Sequence, residues 1–214
     1  MTTPAFIAPD ITSPATIALP LPGVDRSWYL SVNHFSRHTV WLHAPLRVYA
    51  VYGVVLFALL LLASWWRARR TRDVRRVTAS LWAPLGTLLA LAVNQPLGRL
   101  VGERRPYDEV ANALVLVHRS TDFSFPSDHA VMAGAVAVGV LLVDRRLGLL
   151  ATVLALLMAF ARVYVGAHYP FDVIAGLIVG GAVTGIGWVV VRRPLQAIVG
   201  ALTRTPLRVF VLAR

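Results

Sequence analysis

The sequence predicts an all-α fold, a polytopic membrane helical bundle of about five transmembrane helices preceded by an N-terminal interfacial helix. Three observations lead there. Hydrophobic residues make up 57% of the 214 and charged residues only 14%, with a mean hydropathy of +0.66, a balance beyond that of ordinary soluble domains. The apolar residues gather into runs long enough to cross a bilayer. The net charge of +11 comes from 21 basic residues, all of them arginine, and most of the excess lies between those runs. That placement encodes topology and argues against a nucleic-acid partner. With no cysteine there is no disulfide framework, thiolate metal site or cysteine nucleophile.

Residues 1–24 are expected to be extended, because Pro4, Pro9, Pro14, Pro20 and Pro22 interrupt them. They also lack the basic start of a cleavable signal peptide. From Asp25 to His43, Trp28, Tyr29, Phe35 and Trp41 alternate with Asn33, His34, Arg37 and His38, a mixture too polar to span but suited to an interfacial helix. The first span is Leu46 to Trp66, which at ~1.5 Å per residue covers roughly the 30 Å hydrocarbon thickness. Arg67 to Arg76 reads as a short, strongly basic loop and is therefore expected on the cytoplasmic side. The second span runs from Val77 to Val101, with Pro84 and Pro96 as expected kinks.

Tyr107 to Phe125 reads as a polar surface lid. A short third span, His129 to Val143, is followed by the turn Asp144-Arg145-Arg146. Leu147 to Val165 and Phe171 to Val191 are the fourth and fifth spans, the last closed by Arg192 and Arg193. The membrane-embedded domain is thus 25–193, and 194–214 is a basic C-terminal tail. Orientation set by the inner arginines puts the N-terminus outside, the C-terminus inside, and three polar clusters together on the outer face. Gly176, Gly180, Gly181, Gly185 and Gly187 are read as sites of close helix packing.

The first cluster holds Arg99, Arg104 and Arg105, and the third adds Arg162. Guanidinium forks match phosphate oxygens, so an anionic phosphoryl group is the natural partner; the bland alternative is snorkelling to lipid headgroups. In the second cluster Ser127 and Asp128 begin a helix, where they either cap it or help its free N–H groups bind phosphate. His129 adjoins them. In the third, His168 and Asp172 stand four apart, the spacing at which a carboxylate can orient an imidazole for nucleophilic or acid-base work. A zinc site from His129, His168 and Asp172 is disfavoured by the surrounding arginines, which repel a cation.

These residues resemble the type 2 phosphatidic acid phosphatase superfamily, whose signatures are K-x6-R-P, P-S-G-H and S-R-x5-H-x3-D. The chain reads Gly98-x6-Arg105-Pro106, Pro126-Ser127-Asp128-His129 and Ala161-Arg162-x5-His168-x3-Asp172. It departs from them at Gly98, Asp128 and Ala161, and its form Phe-Pro-Ser-Asp-His-Ala with Ala-Arg-Val-Tyr-Val-Gly-x-His-Tyr-Pro-x-Asp is similar to the bacitracin-resistance branch of bacterial undecaprenyl pyrophosphate phosphatases. The resemblance implies a cofactor-free, metal-independent phosphatase of the bacterial inner membrane with a polyprenyl pyrophosphate substrate. His168 is then the nucleophile, Asp172 its orienting carboxylate and His129 the acid and base. Arg105, Arg162 and Ser127 hold phosphate, and Arg99 or Arg104 replaces the missing lysine of the first motif. Asp128 is expected to position a histidine or an arginine. Two rivals remain: a broader phosphatidate or phosphatidylglycerol phosphate phosphatase, and a non-catalytic headgroup-binding scaffold.

Overall fold

The computed structural model describes residues 22–206 and 208. Its regular elements are α1 (Pro22–His38), a 3-10 turn (Val40–Leu42), α2 (His43–Tyr52), α3 (Val54–Thr71), α4 (Val74–Val101), α5 (Pro106–Glu109), α6 (Asp128–Leu141), α7 (Arg145–Tyr164) and α8 (Pro170–Leu202). The expected extended segment lies outside the described residues up to Leu21, and Pro22 to Val24 already belong to α1.

Among the described residues, three helical stretches are long and apolar enough to cross a membrane: α4 with the turn after it (Val74–Glu109), α7 and α8. The first predicted span is a bent pair, Val40–Tyr52 and Val54–Thr71, which meet at 54° and make a fourth if read as one crossing. A run of apolar residues carries no signal for this break. It falls at Gly53, where a Cβ would stand 2.5 Å from the Tyr49 carbonyl oxygen and 2.6 Å from the end of the Met158 side chain on α7.

The third predicted span corrects differently. α6 has 14 residues, about 21 Å of helix at 1.5 Å per residue, which is too short to cross alone. It need not, because α3, α4, α7 and α8 pack around it. Its Ala130, Val131, Ala133, Ala135, Val136 and Val140 are all buried. Small residues let the backbones close up. A Cβ on Gly180 of α8 would collide with the Val131 carbonyl, and one on Gly134 of α6 with the backbone of Leu177.

The predicted basic loop is largely helical. Arg67, Arg69 and Arg70 complete α3, and Arg75 and Arg76 begin α4, since arginine is a good helix former. The turn itself is Arg72, in the left-handed region at φ 56°, and Asp73, whose carboxylate caps α4 by accepting from the N–H of Arg75 at 2.8 Å. Arg67 pairs with Asp144 at 2.8 Å and so ties the α3–α4 turn to the α6–α7 turn. For the same reason α8 does not stop at Arg192 and Arg193. It runs through Pro194 to Leu202, with Val199 buried beside Trp188 and Trp82. The expected tail is therefore helical at its start, and 207 and 209–214 lie outside the described residues.

At the opposite end, α1 is clamped onto the bundle. Asn33 donates to the Leu114 carbonyl at 2.8 Å and accepts from its N–H at 3.1 Å, while Asp25 accepts from the N–H of Phe171 in the first turn of α8 at 3.0 Å. The stretch read as a lid is thus fastened: the N–H of Leu116 bonds Val165, and that of Ser124 bonds Glu103. These ties fix the loops that carry the site.

Candidate active site

His168 sits in the link from α7 to α8 and is 2% exposed. The link turns at Gly166, φ +81°, where a side chain would strike the Leu114 carbonyl. His168 Nδ1 lies 2.9 Å from the Ser124 carbonyl, which can only accept, so Nδ1 carries the proton. Nε2 then presents a lone pair, and it faces Arg105 Nη1 at 3.1 Å and Arg162 Nη2 at 3.3 Å. Burial, the largest influence, holds the imidazole below its ordinary pKa; Asp172 pulls it up and the Arg162 guanidinium pushes it down. The outcome is a neutral ring whose free nitrogen points at two cations.

Each arginine is held so that part of its fork remains for the site. Arg105, 5% exposed, is anchored by Asp122, with Nε to its carbonyl at 3.2 Å and Nη2 to its carboxylate at 2.8 Å. Nη1 also donates to Ala167 at 3.0 Å. Burial raises the Asp122 carboxyl, but the Ser120 hydroxyl and Arg105 outweigh it and keep the group below the usual carboxylate range. Arg162, 8% exposed, donates Nη1 to the Ala50 carbonyl at 3.4 Å. That carbonyl is available because the α2–α3 bend interrupts the helical ladder there. Arg162 Nε is buried without a partner.

Asp172 lies 3.4 Å from His168 Nδ1, longer than the ring's bond to Ser124. Its Oδ2 accepts from Ser124 Oγ at 2.5 Å and from the N–H of Tyr169 at 2.8 Å. Ser124 therefore grips both members of the pair, the histidine through its carbonyl and the carboxylate through its hydroxyl. Sequence reasoning missed it. Two residues before Pro126 a serine looks like any loop residue, and its carbonyl contact has no sequence signal.

Ser127 occupies the N-cap position of α6, yet its hydroxyl makes no capping bond and is fully buried without a partner. Its N–H bonds the Asp172 carbonyl at 3.1 Å, which brings the second cluster against the third. His129, half-buried in the first turn of α6, makes no hydrogen bond among the described residues; the guanidinium groups of Arg162 and Arg105 act on it electrostatically. Asp128 forms no hydrogen bond or ion pair with a histidine or an arginine among the described residues; it accepts from Asn94 at 2.7 Å and from Gln95 at 3.3 Å, both on α4. Asn94 also donates to Pro126 at 3.0 Å and so fixes the start of α6.

Arg99 and Arg104 are exposed and form no hydrogen bond or ion pair among the described residues. Gly98, where the motif has lysine, faces the Phe125 carbonyl, 3.2 Å from where a Cβ would stand. The end of α4 thus packs directly on the loop before α6. Among the described residues no three His, Asp or Glu side chains converge as metal ligands. What converges is a buried imidazole lone pair and two guanidinium groups, with Ser127 joined to Asp172 through its backbone, an arrangement able to receive an anionic group such as a phosphoryl.

Comparison with known proteins gives the family. Residues 79–195 match the PAP2 superfamily. The chain is 32% identical over 152 residues to the undecaprenyl-diphosphatase BcrC of Bacillus subtilis (strain 168), covering 71% of this chain and 76% of that one. It is 34% identical over 169 residues to the decaprenylphosphoryl-5-phosphoribose phosphatase of Mycobacterium tuberculosis (strain ATCC 25618 / H37Rv), covering 76% and 81%. Its fold is similar to the crystal structure of Aquifex aeolicus LpxE, with TM-score 0.58 and 22% identity over 79% of this chain and 98% of that one. A family match across more than half the chain, with all three polar clusters brought to one end of a helical bundle, makes the chain a member of the PAP2 superfamily of membrane phosphatases.

Proposed function

We propose that the chain hydrolyses a polyprenyl diphosphate, undecaprenyl diphosphate in the first instance, to the monophosphate and so recycles a cell-wall lipid carrier. The observation that carries this reading is the neutral, buried His168, with Nδ1 held by Ser124 and Nε2 facing Arg105 and Arg162. Nε2 attacks the terminal phosphorus, forming an N–P bond as the bridging P–O bond breaks. His129 gives its proton to the leaving lipid phosphate. His129 then takes a proton from water, whose oxygen displaces His168 and releases inorganic phosphate. Arg105, Arg162, the Ser127 hydroxyl and the N–H groups opening α6 stabilise the oxygens. Asp172 balances charge, and Asp128 fixes the start of α6.

The two guanidinium groups supply the charge that a metal supplies elsewhere, and they disfavour a cation at Nε2, so turnover is expected to persist in a chelator. The basic α3–α4 turn supports a cytoplasmic position for that end and an extracytoplasmic site in a bacterial inner membrane.

A second reading, removal of a phosphomonoester from a polyprenylphosphoryl pentose, draws on the Mycobacterium tuberculosis relative, which covers slightly more of the chain. Phosphate release in detergent from undecaprenyl diphosphate, a decaprenylphosphoryl pentose phosphate and phosphatidate separates these, with His168→Ala as control. The proposal expects the diphosphate to be turned over fastest and His168→Ala to be inactive while folded. Faster turnover of either other substrate overturns the substrate assignment, and activity in His168→Ala overturns the mechanism and readmits a binding scaffold.

A further inference from the structure

Asp172 has one oxygen too many for its donors. Oδ2 is saturated by Ser124 and Tyr169, whereas Oδ1 is buried and meets no donor among the described residues. The group against it is a second carboxyl. Ser124, whose hydroxyl bonds Asp172, donates its N–H to the Glu103 carbonyl, so Glu103, two residues before Arg105, stands beside Asp172, and its Oε2 is likewise buried without a donor among the described residues. Two ionised carboxylates repel and cannot bond each other, but one proton between them gives both orphan oxygens a partner.

The surroundings favour keeping that proton. Behind the pair lies a cavity of about 280 Å³ bordered by Asp25 and Arg26 of α1, Glu109 of α5 and Tyr169. Asp25 and Glu109 add negative charge facing Glu103, and Tyr169 donates its hydroxyl to Glu109 at 3.1 Å instead of to Glu103. Arg26 is the cation on the same wall.

We propose that Glu103 is a positioning residue for the phosphatase reaction, sharing one proton with Asp172 so that His168 faces a hydrogen-bonded carboxyl pair instead of a bare carboxylate. This deepens the phosphohistidine reading and rests on it. A bare carboxylate draws the Nδ1 proton strongly and favours an imidazolium, whose Nε2 cannot attack phosphorus. With its charge spread over Glu103, Asp172 steadies the ring without charging it. The geometry agrees: Nδ1–H lies nearer the neutral Ser124 carbonyl, at 2.9 Å, than Asp172, at 3.4 Å. Glu103 acts only through Asp172.

The test is the pH profile of kcat/KM for undecaprenyl diphosphate, measured on the full chain in detergent for wild type, Glu103→Ala and Glu103→Gln. Loss of the shared proton in Glu103→Ala strengthens the pull on the imidazole, so the acid limb moves up by about one pH unit and kcat falls about tenfold while KM changes little. Glu103→Gln keeps a neutral donor and returns the limb toward its wild-type position. An infrared band of a protonated carboxyl, present in wild type and missing in Glu103→Gln, reports the proton directly and needs no turnover. An unmoved limb in Glu103→Ala, a Glu103→Gln profile like that of Glu103→Ala, or no such band overturns the inference. His168→Ala keeps the two levels apart: if it is inactive while Glu103→Ala is unshifted, only the role of Glu103 fails, and if it is active the phosphohistidine itself fails.

Discussion

The two ends of the bundle use the same side chain in opposite ways. At the α3–α4 end arginines lie on the surface: the Arg67 side chain is 57% exposed beside Asp144, and the guanidinium groups of Arg69 and Arg70 lie over Trp65 and Trp66 at 4.5 and 5.1 Å. At the other end Arg105 and Arg162 are buried, anchored by carbonyls and a carboxylate, and turned onto one imidazole nitrogen. The first set pairs with a carboxylate and with indole rings at the exposed end, each contact weak and replaceable. The second is held where solvent cannot screen it. The difference is one of anchoring, since the residue type is constant.

Breaking the anchored pair has the largest expected effect. Arg105→Ala and Arg162→Ala should each lower kcat/KM about 10³-fold, with lysine restoring only part because it lacks the fork. A loss of tenfold or less in steady-state assays would mean the buried arginines are structural. Ser127→Ala comes next, with an expected loss of about 10- to 100-fold for a hydroxyl that bonds a charged oxygen. Because that hydroxyl caps nothing and is buried unpaired, the unfolding temperature should not fall. Lower activity together with lower stability would return Ser127 to an ordinary cap.

A third change tests the clamp that holds α1 on the site end. Burial, the largest influence, pushes the Asp25 carboxyl up to about 6, against the bond from Phe171. The sign follows from proton counting: between the ordinary carboxylate range and about 6 the folded state keeps a proton that the unfolded chain has released. The contribution of this carboxyl to stability therefore falls as pH rises through that window and is flat above it. Asp25→Asn should make the pH 4 to 6 slope in thermal unfolding shallower, and an unchanged slope would place its origin elsewhere. The smallest effect belongs to the exposed end, where Arg67→Gln should cost no more than about 1 kcal/mol of stability and leave kcat within about twofold. A large catalytic loss there would erase the contrast between the ends.

Much of this arrangement was legible beforehand, and the remainder had physical reasons to be hidden. Hydropathy located all five apolar segments, because lipid-facing Leu, Val and Ile on α4, α7 and α8 dominate their composition. Hydropathy does not distinguish a helix wrapped in lipid from one wrapped in protein, so α6 reads as a short span when it is a 14-residue centrepiece. The motif residues Arg105, Ser127, His129, Arg162, His168 and Asp172 are all at one end of the bundle. Arg99 and Arg104 look equivalent to Arg105 in sequence, but the anchoring that buries Arg105 comes from Asp122, 17 residues later in a loop without regular structure. The partners of Asp128 lie 33 and 34 residues upstream, on α4. Ser124 and Glu103 act on the histidine pair through a carbonyl and a shared proton, and neither contact leaves a pattern in spacing or composition.

The central claim is that His168 becomes covalently phosphorylated. A single turnover of undecaprenyl diphosphate labelled at its terminal phosphate, stopped under alkaline conditions and mapped by peptide, tests it directly. The account predicts label on His168 that is stable to base, released by acid and lost in His168→Ala. Full product formation with no labelled histidine, or label on another residue, would contradict it.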